Sequence, residues 1–509
     1  MVGAMISRFL TVFINFFHNL TFTNFSFFCL LLLTFILYYS VPLLARKYVL
    51  LTISIAFYAT WGIPQFAFVA VATVTVYCGA ILIEKIESKT KKKLILFAVV
   101  SILVLMLLYV KLGKLFFESK SIIVPLGISY YTFSVIGYLA DVYWEKDKAE
   151  KNFLNFLLYI LFFPHILQGP IPRHSRLASQ LVEGHPFDYQ NFCFGLQRVV
   201  WGLFKKLVIA DRFGALTGHV FGNYMDYEGQ VYVFANLCSM AVMYCDFSGC
   251  MDVAIGVSEA LGIKLDENFC RPLYSRTAGE FWRRWHITLG TWFTDYVFMP
   301  IMTPGFVKFC GKTRKILGKR FSKSLLMIIP LAVVWLLTGL WHGTGLNYLV
   351  WGAYWYVLIL VENLFAPEFK KLAKFLKINT DSPWYHRFQI FRTILLFFIS
   401  RLITGLGNIK VTGHVLKSML TVWNPWIWFD KTLFNLGLDA PNLWCGVIAI
   451  LILWKMSSLQ EKGIHIRERI ASYPLPARWV IYLGAVFSVL IFGWYGPGFD
   501  ASNFIYMQF

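Results

Sequence analysis

Residues 324–364 read "SLLMIIPLAVVWLLTGLWHGTGLNYLVWGAYWYVLILVENL". Two apolar runs, 324–341 and 346–364, flank a short link holding His342, Gly343 and Gly345. Each run is long enough to cross a bilayer core as an α-helix, which takes about 20 residues. Backbone in that core must satisfy its hydrogen bonds within its own segment, so the pair reads as a helical hairpin. Similar runs recur at 23–43, 47–61, 64–83, 94–111, 388–407, 442–456 and 477–494. Ten-residue alternating strands are absent, which argues against a barrel. The expected fold is therefore an all-α polytopic membrane protein. It reads as one integral-membrane domain over 1–509, with core motifs at about 124–355 and C-terminal helices over 388–509.

Composition agrees. Of 509 residues, 58% are hydrophobic and only 15% charged, and mean hydropathy is +0.61. A soluble chain of this size needs more charge to cover its surface. Lysine and arginine total 47 against 27 acids, a net charge of +20. The bases cluster between apolar runs, the pattern that keeps such loops cytoplasmic and attracts anionic lipid headgroups. No basic arm or reader motif suggests nucleic acid. Nine cysteines are scattered without a CxxC and read as buried thiols. One early arginine and no clear small-residue cleavage site give no expectation of a removable signal peptide.

The segment 302–323 holds Lys308, Lys312, Arg314, Lys315, Lys319, Arg320 and Lys323 and no acid. It is expected on the same side as the basic loops 84–93 and 366–378, and the two spans between 302–323 and 366–378 agree in parity. The link at 340–345 then lies at the far end of its hairpin or deep within it. The segment "KLGKLFFESK", 111–120, is basic yet falls on the outer side, against the rule. Less regular apolar segments at 4–20, 124–143, 152–164, 190–211 and 231–247 carry Gly, Pro, Asp or Gln. They read as re-entrant or broken helices lining a cavity.

Four polar stretches interrupt this background: 124–146, 162–177, 243–296 and 337–355. Ionisable groups at membrane depth are costly and usually face a working interior, so four in one bundle suggest one shared site. His342 is the sharpest candidate, because a neutral imidazole can take a proton from an attacking hydroxyl near pH 7. Its bland alternative is a linking histidine that caps a carbonyl. In "EFWRRWHITLGTWFTDY", 280–296, Trp282 and His286 are four apart and would share a helix face. Glu280 can pair with Arg283 or Arg284. Alone, this motif reads as an interfacial helix with Trp and Arg at headgroup level. As a site wall, its arginines would hold an anionic donor opposite His342. Asp246, Ser248 and Asp252 match no calcium loop and read as backbone partners at a broken helix. No HExxH, GxSxG, Walker A or dinucleotide motif is present, so a metal-free chemistry without a bound cofactor is expected.

In order along the chain, "PLGISYYTF", "FFPHILQGPI", "DFSGCMDVAIG", "ENFCRPLY", "FWRRWHITLGTWFTDYVFMPI" and "GLWHGTGLNYLVWG" resemble the membrane-bound O-acyltransferase family. The likeness is to the bacterial branch that acetylates alginate and other exopolysaccharides, from about residue 57 to 509. It implies a helical bundle with re-entrant helices around a central funnel, a catalytic His342 and a second family histidine, His286. Trp285, Arg283, Arg284, Asp246, Trp341 and Asn347 are the associated substrate-binding candidates. "WFTDYVFMPI" is also similar to the branch that transfers D-alanine to teichoic acids, and "MTPGFVKFCGK" replaces the Gly-Gly and basic loop of the alginate type.

The resemblance implies acetyl transfer from a cytoplasmic thioester, acetyl-CoA, to hydroxyls of an extracytoplasmic polysaccharide. A secreted esterase-like relay protein is an alternative acceptor, and an acyl-carrier protein an alternative donor. It places the chain in a bacterial cytoplasmic membrane, among membrane lipids. A polymer-precursor transporter and a scaffold that recruits a secreted acetyltransferase are the rival classes; the first explains the paired histidines poorly.

Overall fold

The computed structural model describes residues 20–116, 124–166 and 168–495. Among these residues the chain is helical, with one isolated antiparallel bridge between Phe269 and Trp285. Seven helices are long and apolar enough to cross a membrane, or eight if the bent pair Leu346–Leu364 and Ala366–Phe375 is one span. The apolar candidate at 4–20 falls, but for Leu20, outside the described residues, as does the C-terminal "NFIYMQF".

Several expected boundaries move. The 23–43 and 47–61 runs form helices of only 16 and 17 residues, Phe25–Ser40 and Leu43–Ala59. The 152–164 candidate splits into Phe153–Leu161 and Phe163–Ile166. The 190–211 candidate runs from Tyr189–Leu203 into a π-helical turn, Phe204–Ala210. The 231–247 segment is not broken at all. It belongs to a continuous 31-residue helix, Gln230–Ala260, and 72% of its apolar window is buried, against 6% for the peripheral Leu475–Phe492.

The Gln230–Ala260 helix stays intact because its polar groups are met from outside. Lys206 Nζ lies 2.6 Å from Asp246 and 2.8 Å from Asp211. Lys205 Nζ lies 2.6 Å from Asp252 and donates to Ser248 Oγ at 2.8 Å. Arg198 Nε completes the row 2.9 Å from Asp252. The two lysines are neighbours on the π-turn and both are buried. The expectation that Asp246, Ser248 and Asp252 serve local backbone is thus corrected: the two aspartates neutralise cations from the facing helix, which burial requires, and Ser248 accepts from Lys205.

Glycines let these two helices touch backbone to backbone. A Cβ on Gly202 would sit 2.5 Å from Gly249 O, and one on Gly195 2.4 Å from Gly256 O. Both pairs are seven residues apart, so they lie on one face of each antiparallel helix, the small-residue packing used where lipid removes the hydrophobic drive. The 324–364 hairpin uses the same device. A Cβ on Gly339 would meet Tyr348 O at 2.7 Å, and one on Gly352 would meet Trp335 O at 2.7 Å.

One end of the bundle collects the charge. Arg320 pairs with Glu368, bringing the basic segments 302–323 and 366–378 together. Lys92 pairs with Glu145 at 3.2 Å, and the adjacent Trp144 stacks on Tyr296, just before the first of those segments. All three basic segments therefore share one end, as expected.

Candidate active site

The site forms where two helix breaks meet. The first is at His342, the last residue of the helix Arg314–His342. Gly343 follows with extended backbone, so its need for glycine is steric: a Cβ would lie 2.2 Å from the Tyr348 ring. His342 is buried, its ring 4.6 Å from Trp341 and 4.9 Å from Trp351, edge-on to both.

The second break is at His286. The helix Ala278–Arg284 stops, Trp285 is extended, and His286 takes the left-handed conformation at φ 48. Non-glycine residues adopt that region rarely. Trp282 and His286 therefore do not share a helix face as their spacing suggested. The extended turn is held by Asn268: its carbonyl accepts from Ile287 N at 3.0 Å, and Cys270 N reaches back to Arg284 O at 2.9 Å.

The Asn268 side chain fixes more than the backbone. Thr288 N–H donates to its Oδ1 at 3.0 Å, which identifies that atom as the oxygen. His286 Nδ1 lies 3.1 Å from the same oxygen and must therefore carry the hydrogen. Its Nε2 is left with the lone pair, available to accept a proton or a hydrogen bond. Burial first, and the neighbouring His342 second, hold the His286 imidazole well below the ordinary range.

Trp341 packs against both histidines, 6.2 Å from the His286 ring and 4.6 Å from that of His342. Tyr130 is 6.4 Å from both His286 and Trp341, and Phe247 closes on His286 at 4.8 Å. Ile171 N donates to Thr288 Oγ1 at 3.1 Å. Each of the four polar stretches thus supplies at least one residue to one buried cluster. Asn347 is buried two residues beyond Gly345, with no partner for its Nδ2 among the described residues.

The remaining candidates lie elsewhere. Trp285 is buried in the protein, packed among Phe281, Phe269 and Phe397. Arg284 is engaged by Glu280 at 2.7 Å and by Glu461 at 3.1 Å, and Arg283 is exposed. Asp246 pairs with Lys206 in the interhelical row, while its neighbour Phe247 points at His286. Asn268, Thr288 and Tyr130 were not singled out from sequence, although each lies in a quoted stretch. An asparagine whose partner is 18 residues on leaves no local signature.

A family model described as the membrane-bound O-acyltransferase family matches residues 9–392. The chain belongs to that family. It is 30% identical over 411 residues to the "Probable alginate O-acetylase AlgI" of Pseudomonas fluorescens, covering 80% of this chain and 77% of that one. It is 27% identical over 416 residues to the "Peptidoglycan O-acetyltransferase" of Helicobacter pylori, 74% of each chain. It is also 30% identical over 256 residues to the "Teichoic acid D-alanyltransferase" of Bacillus subtilis, 48% of this chain and 60% of that one. This membrane-bound O-acyltransferase is therefore a multi-pass membrane enzyme.

Proposed function

We propose that this O-acyltransferase takes an acetyl group from a cytoplasmic thioester, acetyl-CoA, and delivers it to hydroxyls of an envelope polysaccharide. A secreted relay protein is the alternative acceptor. The observation that carries the reading is the pair of buried histidines packed on one indole, Trp341, one of them with its tautomer fixed by Asn268. The names of the alginate and peptidoglycan relatives supply the substrate class.

In this reading His342 is the general base. The acceptor oxygen attacks the thioester carbonyl carbon as its proton passes to the imidazole. The tetrahedral intermediate collapses, the C–S bond breaks, and the imidazolium returns the proton to the departing thiolate. Asn347 Nδ2 is the candidate donor to steady the oxyanion, and the His286 ring, whose Nε2 can only accept, is a candidate to orient the acceptor hydroxyl. The bundle excludes water that would otherwise hydrolyse the thioester.

The basic end faces the cytoplasm of a bacterial cell in this reading. Its lysines attract the CoA phosphates or an acidic carrier protein. The carrier version corresponds to D-alanyl transfer and is favoured by the likeness to the Bacillus subtilis enzyme.

The test is transfer of radiolabelled acetyl from CoA by purified enzyme in liposomes, with His342→Ala alongside. Full activity of the His342→Ala protein at normal level sinks the assignment of His342. Label that moves from D-alanyl carrier protein but not from acetyl-CoA would reassign the donor.

A further inference from the structure

Lys111 violates the charge rule of its own segment, and its position offers a reason. It lies near the end of the helix Lys89–Phe116, about 33 Å along the axis from Lys89 at 1.5 Å per residue. A lysine at the end away from the basic loops departs from the charge pattern and calls for a local partner.

Its Nζ donates to the backbone carbonyl of Trp341 and lies 5.8 Å from the centroid of the Trp341 ring. That carbonyl belongs to the last turn of the helix that ends in His342. Carbonyls there have no following turn to bond, and they carry the negative end of the helix dipole. Gly343 N caps Gly339 O at 3.3 Å, and Lys111 caps Trp341 O from a different helix. A cation is the natural cap for such an end, and in this buried setting little water competes for it. The clamp acts on the residue directly before His342, whose ring packs on the same indole that the lysine covers.

We propose that Lys111 is a positioning residue for acyl transfer: it pins the carbonyl end of the Arg314–His342 helix and so sets the attitude of the His342 imidazole. The proposal rests on His342 being the base. It requires no direct contact between Lys111 and either substrate. Removing the clamp should therefore slow the chemical step without weakening donor binding.

The experiment compares Lys111→Met, Lys111→Gln and Lys111→Arg with the parent protein, in liposomes, with labelled acetyl-CoA and an alginate oligosaccharide as acceptor probe. The Met variant should lose roughly 10- to 100-fold in kcat, with KM for acetyl-CoA unchanged and thermal stability retained. The Arg variant, which keeps charge and donors, should recover most of that loss. In parallel, carbethoxylation of His342 and His286 by diethyl pyrocarbonate is followed by mass spectrometry. His342 should react several-fold faster in the Met variant and at the parent rate in the Arg variant, with His286 unchanged.

Parent-level kcat and His342 reactivity in the Met variant overturn the proposal. So does an equal loss in the Met and Arg variants accompanied by a lowered melting temperature, which marks a merely structural lysine. If the Met variant does not accumulate, the Gln variant is read by the same criteria. If the parent protein moves no acetyl group to this acceptor, the oligosaccharide-acceptor part of the functional reading fails, and the reactivity of His342 still decides the role of Lys111.

Discussion

His286 Nδ1 and Asn268 Oδ1 lie 3.1 Å apart in the core, and Thr288 N–H and Oγ1–H, each at 3.0 Å, converge on the same oxygen. Replacing Asn268 by Ala should strand these buried donors and release the imidazole tautomer. The expected outcome is a loss of about 1–3 kcal/mol in stability together with reduced transfer. Thermal melts in detergent and acetyl-transfer rates check the two effects separately.

His286 lies outside the membrane-spanning helices and is held well below its ordinary value. The unfolded chain then takes up a proton on this group near pH 6.5 while the folded chain does not. The sign is therefore a loss of stability as pH falls: this contribution is intact above about pH 6.5 and declines below it. Melting temperatures measured from pH 8 to pH 5 should fall less steeply at the acid end in His286→Gln than in the parent.

The backbone contact between Gly202 and Gly249 leaves no room for a methyl group. Gly202→Ala or Gly249→Ala should cost about 1–3 kcal/mol through overpacking. Gly214 and Gly218 are the controls, because a Cβ added at either would meet nothing within 4 Å. Alanine there should be neutral or slightly stabilising, since it is the better helix former. Detergent melts of the four variants make the comparison.

Asp246 is committed to Lys206, so Asp246→Ala should act through folding. Breaking one side of a buried pair typically costs about 3–5 kcal/mol. The expected result is low yield of folded protein with near-normal KM in what survives. A raised KM with unchanged stability would return Asp246 to the substrate-binding set.

Apolar run length alone gave the helical membrane class, because the bilayer imposes its thickness on every span. The shared basic end was also legible, since runs of loop lysines without acids stay on one side of the membrane. What the sequence hid were contacts between distant segments. "DFSGC" looked like a helix break because Asp246 and Asp252 needed partners, and those partners sit 40 or more residues away, on and just before a π-turn. "EFWRRWHI" looked like one amphipathic helix because its spacing fits, but the strand-like bridge to Phe269 ends the helix at Arg284. The place of His342 at the turn was legible because the apolar runs on either side fix where the two helices end. Lys111 left only the anomaly of a basic residue on the outer side.

The 324–364 hairpin touches through Gly339 and Gly352, backbone against backbone, and its second arm bends by 62° after Leu364. Between that bend and the His342 turn lie the 19 residues of Leu346–Leu364, about 28 Å of helix at 1.5 Å per residue. Neither arm can slide without forcing two backbones into each other. The hairpin therefore works as a ruler: the depth of the imidazole below the basic surface is written as a residue count. One residue inserted into either arm would lower or raise the apex by about 1.5 Å and turn it by about 100°. An enzyme built this way can change what enters its interior by altering side chains, but it keeps the level of its chemistry only while the length of that arm is kept.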